Sequence, residues 1–484
     1  MKLRSKRAVF VRLPYVTFSL RTLACAVALL AFLSFPQVPF AKQKVSASDL
    51  TVHEWGTFTS ISGNDGQAVD WLPITGSIDL PSFVEHLRNP NFKGGLRGTV
   101  RMETPVLYFY SPCEATVSVK ISFIKGLITE WYPHAASVTT SNPSTDFSLY
   151  QSHTPGGIAW NSIHVEPGSA ANFPRDTTEN QYYAARETSA APIRVPTPSG
   201  DQQERFLFYR GVSAFPPAIS ATLSVDGIVL VHSKLQEEVP NVILFERRGD
   251  KVGYRILGPL HNQLSLAPPQ LEGSLASLFG DLEGILISQG LYADEAHAML
   301  ETWKTSWFEE GSRILYILPR SFVDSVLPLT ISPAPAQTTR VFVGRLELIS
   351  SATRQAVESA FASGDRVTLA KYSRFLEPIL QTMIQESTDP TRQHRLGVYL
   401  DSLCSDLYAQ DCEWQVRGFN LAGPLGRAFS NLLTDNPAPG DSVGSWFERW
   451  KRRQRDGTHG VDEDRVRDNR RRTQLGFSCL PLAC

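Results

Sequence analysis

Residues 290–311, GLYADEAHAMLETWKTSWFEEG, and the SRILYILPR that follows them have the clearest structural pattern in the chain. Apolar side chains recur here at steps of three and four, which predicts the buried stripe of a helix: Tyr292, Ala296, Met299, Trp303 and Trp307. The opposite face carries Asp294, His297, Glu301 and Lys304. Gly311 offers a left-handed position that ends the helix, and the run from Ile314 to Leu318 predicts a strand. This segment is therefore predicted to join a β-rich front to a helical rear.

Two acids stand at the unfavourable end of this helix. Glu309 and Glu310 fall in its last turn, where the helix dipole disfavours anions by about 0.3–1 kcal/mol each. Acids in this position need a partner. A salt bridge to Arg313 is the structural interpretation, and contact with a ligand or substrate is the functional one. The sequence leaves both open.

Length and composition describe an ordinary globular protein. The 484 residues, 42% of them hydrophobic and 10% aromatic, suffice for two to four domains with buried cores. The 47 basic and 48 acidic residues give a net charge of -1, so no overall field favours nucleic acid. We therefore expect no nucleic-acid partner.

The N-terminus has the pattern of a targeting segment. Several basic residues precede an apolar run from Leu23 to Phe35, which has the length of a signal-peptide core and is short for a membrane span. Small residues before Ser48 would allow cleavage there. Residues 1–47 are thus predicted to be a signal peptide or an N-terminal membrane anchor. We expect export to the periplasm or cell surface, with membrane contact through this segment if it stays uncleaved.

Five of the six cysteines lie outside the predicted signal segment, and their spacing suits an oxidising compartment. Cys404 and Cys412 form one close pair and Cys479 and Cys484 another, and each pair is predicted to bridge a short loop, with Cys113 left over. Neither spacing is that of a zinc knuckle.

The chain is predicted to have an α+β fold in five regions. Residues 48–258 form a β-rich, sandwich-like domain, because alternating or apolar runs recur from Thr51 onwards; a short helix is expected around 81–87 and a loop-rich insertion at 137–201. Residues 259–350 contribute a helix and strands that pack on or continue the sheet. Residues 351–440 are helical by their three/four spacing. Residues 441–484 form a charged tail, predicted to be disordered or to dock on a membrane or partner.

Three phrases carry a resemblance. VHEWGTFT (52–59), METPVLYFY (102–110) and TWKTSWFEEG (302–311) together resemble a family of uncharacterised bacterial exported proteins. The likeness spans about residues 51–385. It implies export and a shared core. That family has no established activity, so the resemblance assigns no catalytic residue.

Candidate site residues are dispersed, because no HExxH, GxSxG, P-loop or Rossmann motif is present. The candidate catalytic carboxylates are Glu54, Glu103, Glu309 and Glu310. Acid–base hydrolysis needs two such groups about 5–10 Å apart. The candidate metal ligands are His53 and His134. The candidate ligand-binding residues are Trp55, as a stacking surface, and Arg210 and Arg320, as anion clamps at strand ends. No cofactor can be named.

Two function classes remain. The first is an exported cell-envelope protein that binds or scaffolds an envelope protein or glycan. The alternative is an extracytoplasmic hydrolase that uses paired carboxylates or a His/Glu metal site. A deep pocket lined by Glu and His would favour the enzyme, and a shallow aromatic strip or a flat apolar patch would favour binding.

Overall fold

The computed structural model describes residues 49–72, 80–87, 98–139, 156–224 and 226–417. Its strands are β1 (Thr51–Ser62), β2 (Glu85–His86), β3 (Val100–Tyr110), β4 (Ala115–Phe123), β5 (Gly126–Tyr132), β6 (Ser137–Thr139), β7 (Gly156–Val165), β8 (Ile193–Thr197), β9 (Gly200–Glu204), β10 (Leu207–Ser213), β11 (Ile219–Leu223), β12 (Val229–Ser233), β13 (Val242–Arg248), β14 (Lys251–Leu257), β15 (Gln263–Leu266), β16 (Gly311–Ile317), β17 (Leu329–Ser332) and β18 (Gln337–Leu348). Its α-helices are α1 (Leu275–Ser288), α2 (Ala293–Trp307), α3 (Arg320–Val326), α4 (Ser351–Ser363), α5 (Arg366–Lys371), α6 (Leu376–Glu386) and α7 (Pro390–Arg417). The predicted α+β class is confirmed.

A nine-stranded mixed sheet is the centre of the fold. Its strand order is β14-β13-β16-β18-β1-β3-β10-β5-β2, and β1 runs parallel to β18 and antiparallel to β3. Strands β16 and β18 therefore continue the sheet built by the front of the chain. Strand β1 is buried on both faces, so successive residues point alternately into two different cores.

One face of this sheet packs against two smaller sheets. These are a six-stranded sheet, in which β17-β4-β7-β8-β9 are neighbours and β6 pairs with β7, and a three-stranded sheet, β11-β12-β15. Val52 and Phe58 of β1 enter this core together with Trp160 of β7. The predicted loop-rich insertion thus supplies β7 and β8 to the six-stranded sheet.

Helices α1 and α2 cover the other face. Trp55 of β1 packs there with Trp303 and Trp307, and all three side chains are buried. The predicted apolar stripe of α2 is confirmed except at Tyr292, which is 44% exposed. Gly311 has a φ of +118° at the start of β16, so it provides the turn from helix to strand.

The described part of the rear, as far as residue 417, is helical and forms its own core with Ile61 and Trp71. Cys404 and Cys412 both lie within α7. Eight residues of helix correspond to a rise of about 12 Å. This exceeds the Cα–Cα distance of a disulfide, so the predicted pairing is wrong for the helix as formed. No helix in the described ranges has the length and apolar character needed to cross a membrane.

Another prediction is wrong, and others lie outside the described residues. The short helix expected at 81–87 is absent: this stretch forms turns and β2, which pairs with β5 and so takes extended backbone. The predicted signal segment, the tail at 441–484 and the Cys479/Cys484 pair fall outside the described ranges.

Candidate functional site

The site begins with a buried histidine on β1. The alternation of β1 points His53 to the helix-covered face, where it is fully buried. Its Nδ1 atom lies 2.7 Å from Oε2 of Glu295. Glu295 is the third residue of α2, and the same oxygen accepts a hydrogen bond from the backbone N–H of Tyr292 at 2.8 Å. The carboxylate that caps the helix therefore also holds the histidine.

A tyrosine donates a further hydrogen bond to this carboxylate. In the register of β1 and β3, Tyr110 lies opposite Thr51, one alternation step from His53. The Tyr110 hydroxyl donates to Oε1 of Glu295 at 2.9 Å. Burial, reinforced by the Glu295 charge, raises the pKa of Tyr110 well above its usual value. Tyr110 therefore stays protonated and remains a donor.

These contacts determine which imidazole nitrogen is available. A carboxylate at Nδ1 accepts a hydrogen bond, so we assign the proton of neutral His53 to Nδ1 and a lone pair to Nε2. Nε2 is buried and has no hydrogen-bond partner among the described residues. An unpaired buried polar atom costs about 1–3 kcal/mol, and a water, an ion or a ligand can satisfy it. In this tautomer Nε2 can accept a hydrogen bond.

Tyr292 covers the histidine. Its ring centroid lies 4.5 Å from that of His53 and 4.9 Å from that of Tyr110. Since Tyr292 is substantially exposed while His53 is fully buried, this ring lies at the boundary between the imidazole and solvent.

A cleft of about 500 Å³ opens beside this cluster. Its lining consists of Asp49, Thr51, Tyr110, Ser111, Pro112, Pro167, Gly168, Ser169, Ser189, Ala190, Ala191, Pro192 and Arg205. Two lining residues are neighbours of His53 in the sheet: Thr51 precedes it by two positions on β1, and Tyr110 lies opposite Thr51 on β3. Arg205 donates from Nη1 to the carbonyl of Ala190 at 2.7 Å, and its buried Nε has no acceptor among the described residues.

The predicted carboxylates are held apart by separate partners. Glu54 points to the opposite face of the sheet from His53, where it accepts from Tyr209 and, at 2.5 Å, from Nε of Arg340. Glu103 accepts from Thr59 at 2.5 Å and pairs with Arg374. Arg340 and Arg374 therefore offset the charges of Glu54 and Glu103.

The two acids after α2 also differ from each other. Glu309 pairs with Arg345 at 2.6 Å, whereas Glu310 accepts from the backbone N–H of Gly249 at 2.9 Å. The expected partner, Arg313, instead donates to the backbone carbonyls of both acids. Burial raises the pKa of Glu309, although Arg345 and Arg313 act in the opposite direction. None of the four candidate carboxylates shares a hydrogen-bond partner with another among the described contacts.

The two candidate metal ligands are also separated. His134 Nδ1 lies 2.8 Å from Glu85, and its side chain is 41% exposed, whereas His53 is bound to Glu295. The described residues contain no group of three or more His, Cys, Asp or Glu that could hold a metal ion.

The candidate ligand-binding residues have three different settings. Trp55 is wholly buried beside Tyr108, so it packs in the core. Arg210 Nη2 lies 3.5 Å from the hydroxyl of Thr104. Arg320 bonds to Asp324, is 47% exposed and lines a second cleft of about 300 Å³. Of these three residues, only Arg320 lines one of the two clefts.

Sequence reasoning missed Glu295 and Arg205. Glu295 lies 242 positions from His53, and no local pattern joins them. The available signal was its place three residues after Tyr292 at a helix start, which is the spacing of a capping box.

Comparisons with known proteins add little to this geometry. No family model and no curated protein sequence matches the chain. Among solved structures, the yeast delta-COP-I μ-homology domain complexed with a Dsl1 WxWxV peptide has a TM-score of 0.24 and 10% identity, covering 62% of this chain and 96% of that one. The same yeast domain alone has a TM-score of 0.23 and 11% identity, covering 62% and 95%. At these TM-scores the likeness supports no conclusion on fold or function.

Proposed function

We propose that the protein is exported to the cell envelope and binds a small polar molecule, or the polar end of a larger one, in the cleft beside His53. The observation that carries this proposal is the cleft itself. Its volume of about 500 Å³ lies within the range of ligand-binding pockets. Hydroxyl-bearing side chains and one arginine line it, which suits a hydrogen-bonding ligand.

Arg205 indicates the charge of the ligand. Its planar guanidinium is suited to a carboxylate, and its Nε atom has no acceptor among the described residues. Asp49 is on the same lining and disfavours a multiply charged anion. A molecule with one carboxylate and several hydroxyl groups meets both conditions. Sugar acids, free or at the end of an envelope glycan, belong to this class.

Binding is favoured over the hydrolase alternative by the lining of the cleft. Among the described residues the lining contains no Glu and no His, and the four candidate carboxylates have separate partners. His53 and His134 are bound to different glutamates. Paired carboxylates and a His/Glu metal site are therefore the weaker explanations of this geometry.

Calorimetric titration with gluconate tests the proposal. The full chain is expected to bind gluconate, and Arg205→Gln is expected to weaken binding by about tenfold or more because a charge-assisted hydrogen bond is lost. Arg175→Gln is the matched control, since Arg175 is 53% exposed, pairs with Glu179 and is absent from the cleft lining. Absence of gluconate binding, or an equal loss in both variants, would contradict the proposal.

Export is tested separately by cell fractionation. The basic start and the apolar run to Phe35 are expected to carry the protein out of the cytoplasm. If the signal is cleaved, N-terminal sequencing should begin near Ser48. A cytoplasmic protein that retains Met1 would refute this part of the proposal.

A further inference from the structure

Strand β18 extends past the end of its neighbour β16. The pairing of β16 with β18 ends at Ile317 and Val343. A hydrogen bond from the N–H of Leu318 to the carbonyl of Phe342, at 2.9 Å, follows it. The chain then turns into α3, whereas β18 begins at Gln337. The first residues of β18 therefore pair with β1 on one side and lie beyond the end of β16 on the other.

The backbone of Arg340 faces this open side. Because Phe342 bonds towards β16, the alternation of the strand directs the N–H and C=O groups of Arg340 and Thr338 to the same side. The carbonyl of Thr338 agrees with this direction, since it accepts from Nη1 of Arg320 at 2.7 Å. Among the described residues, no hydrogen bond outside the strand ladders involves the N–H or carbonyl of Arg340. This residue therefore presents one donor and one acceptor on an open sheet edge.

The second cleft, of about 300 Å³, exposes this backbone. Four consecutive residues of β18 line it: Thr338, Thr339, Arg340 and Val341. Successive side chains of a strand point to opposite faces, so a cleft that touches all four meets the strand at its edge. Arg340 is 5% exposed as a residue, while its side chain is 0% exposed. The exposed part of Arg340 is therefore its backbone.

The remaining lining gives this cleft the form of a short slot. Gln289 at the end of α1 and Arg320 at the start of α3 line it, and Pro240, just before β13, does so as well. Leu318 and Pro319 line it where β16 leaves the sheet. The slot thus lies where a continuation of β16 would run. Its volume is at the lower limit of ligand pockets, which favours a short segment with small side chains.

The charges around the slot favour an uncharged occupant. Arg320 pairs with Asp324 at 2.8 Å. Arg340 pairs with Glu54 at 2.5 Å and with Asp324 at 2.6 Å. Two arginines therefore face two carboxylates, so neither an anion nor a cation finds an excess of opposite charge. The groups of Arg340 that face the open side are the hydrogen-bonding groups of a peptide backbone.

We propose that the edge of β18 at Arg340 binds a short, extended peptide segment as an added strand. The segment takes the place that β16 leaves, and it exchanges backbone hydrogen bonds with Arg340. Recognition through the backbone tolerates different small side chains. This site is independent of the proposed sugar-acid site, because the two clefts share no lining residue among those described.

Calorimetry with an uncharged tripeptide, N-acetyl-trialanine amide, tests the added strand. The full chain is expected to bind it. Two analogues carry one N-methyl group, on the second or on the third alanine. Neighbouring N–H groups of an extended peptide point to opposite sides, so only one of these methyl groups meets β18. One analogue is expected to bind about tenfold more weakly or worse, and the other within about threefold of the parent peptide.

Hydrogen–deuterium exchange resolved to single amides tests the edge itself. The N–H groups of Thr339 and Val341 point towards β1, whereas that of Arg340 points to the slot. In the free chain the Arg340 amide is expected to exchange about tenfold faster than these neighbours or more. Saturation with N-acetyl-trialanine amide should slow the exchange of Arg340 and leave its neighbours unchanged.

Several outcomes would overturn the proposal. They are absence of tripeptide binding, equal affinities of the two analogues, and an Arg340 amide that is as protected as its neighbours in the free chain or unaffected by the tripeptide. Arg205→Gln is the control, because Arg205 lines the other cleft. This variant should bind the tripeptide as tightly as the wild type does. Weaker binding would place the peptide in the cleft of Arg205 and refute the edge site. Failure of gluconate to bind refutes the sugar-acid proposal alone.

Discussion

The two ends of helix α2 use buried charge in opposite ways. At its N-terminus one carboxylate, Glu295, holds two side chains: His53, whose Nε2 has no hydrogen-bond partner among the described residues, and Tyr110, which lines a cleft. Beyond its C-terminus, Arg313 and Arg345 share the buried carboxylate of Glu347. Both clusters lie on the same face of the large sheet, under or next to the same helix.

The C-terminal cluster supplies hydrogen-bond donors to the end of the helix. The last carbonyls of a helix have no partner within it. Arg313 donates to the carbonyls of Trp307, Glu309 and Glu310 at 2.7–2.9 Å. Its charge also offsets the negative end of the helix dipole. This cluster contains more charged groups than the His53 site, yet its contacts are explained by the fold.

The comparison shows that the number of buried charges is a poor guide to function. A polar atom without a partner, next to a cleft, is the more informative feature. Arg345 Nε at the C-terminal end is also buried without a partner among the described residues, but the cluster there lines neither of the two clefts, whereas Tyr110 at the N-terminal end lines the larger one. By this criterion the N-terminal end of α2 is the candidate site. Mutations at the two ends should differ accordingly.

Arg313→Met is expected to have the largest effect on stability. The Arg313 side chain is fully buried, and its loss leaves Glu347 with less compensation and three carbonyls without their donor. The free energy of unfolding is expected to fall by about 3–5 kcal/mol, measured by urea denaturation. Gluconate affinity of the folded fraction should not change.

Arg320→Met provides the matched control for that substitution. Arg320 is 47% exposed and pairs with Asp324 at the surface, so its replacement should change stability by about 1 kcal/mol or less. Equal losses in the two variants would show that the arginine cluster does not stabilise the end of α2.

Glu295→Gln is expected to have an intermediate effect. The amide keeps the volume of the side chain but presents an N–H group to three donors, so unfolding free energy should fall by about 1–3 kcal/mol. Unlike Arg313→Met, this variant should also weaken gluconate binding, because Tyr110, which lines the cleft, loses its hydrogen bond to the Glu295 carboxylate. Unchanged gluconate affinity in Glu295→Gln would break the distinction between the two ends.

Much of the fold follows from local pattern. The spacing of apolar residues correctly located the buried face of α2, because a helix against a sheet must bury one stripe. Alternation located β1 and β4 closely, and an apolar run located β3. The parallel pairing of β1 with β18 could not be predicted, since it joins segments far apart in sequence. The 81–87 stretch was misassigned because its pairing with β5 determines its conformation.

Only part of the candidate site could be predicted from the sequence, because its residues also come from segments far apart in the chain. His53 was recognised by its residue type, whereas its partner Glu295 comes from another element. Tyr292 matched the periodicity of the buried stripe, yet it is exposed because it precedes the first turn of α2 and lies at the edge of the covered face. Periodicity predicts direction around a helix axis, and it does not predict where the neighbouring surface ends.

The smallest expected effect is that of Glu309→Gln, and its pH dependence tests the C-terminal end of α2. Burial raises the folded-state pKa of Glu309 above the ordinary 4.5, so between these two values the folded protein binds more protons than the unfolded one. The stability that Glu309 contributes is therefore fully present below pH 4.5 and is lost as the pH rises through the raised pKa. Near pH 7 the variant should lie within about 1 kcal/mol of the wild type or be more stable.

Urea denaturation of both proteins at pH 7 and pH 4.5 measures this difference, and groups that titrate equally in both cancel. The unfolding free energy of the wild type relative to Glu309→Gln should increase on acidification. A decrease would mean that the folded-state pKa is depressed, so that the ion pair with Arg345 outweighs burial. Glu309 would then stabilise the fold as a charged group, and the acid at the unfavourable end of the helix would be explained by Arg345 alone.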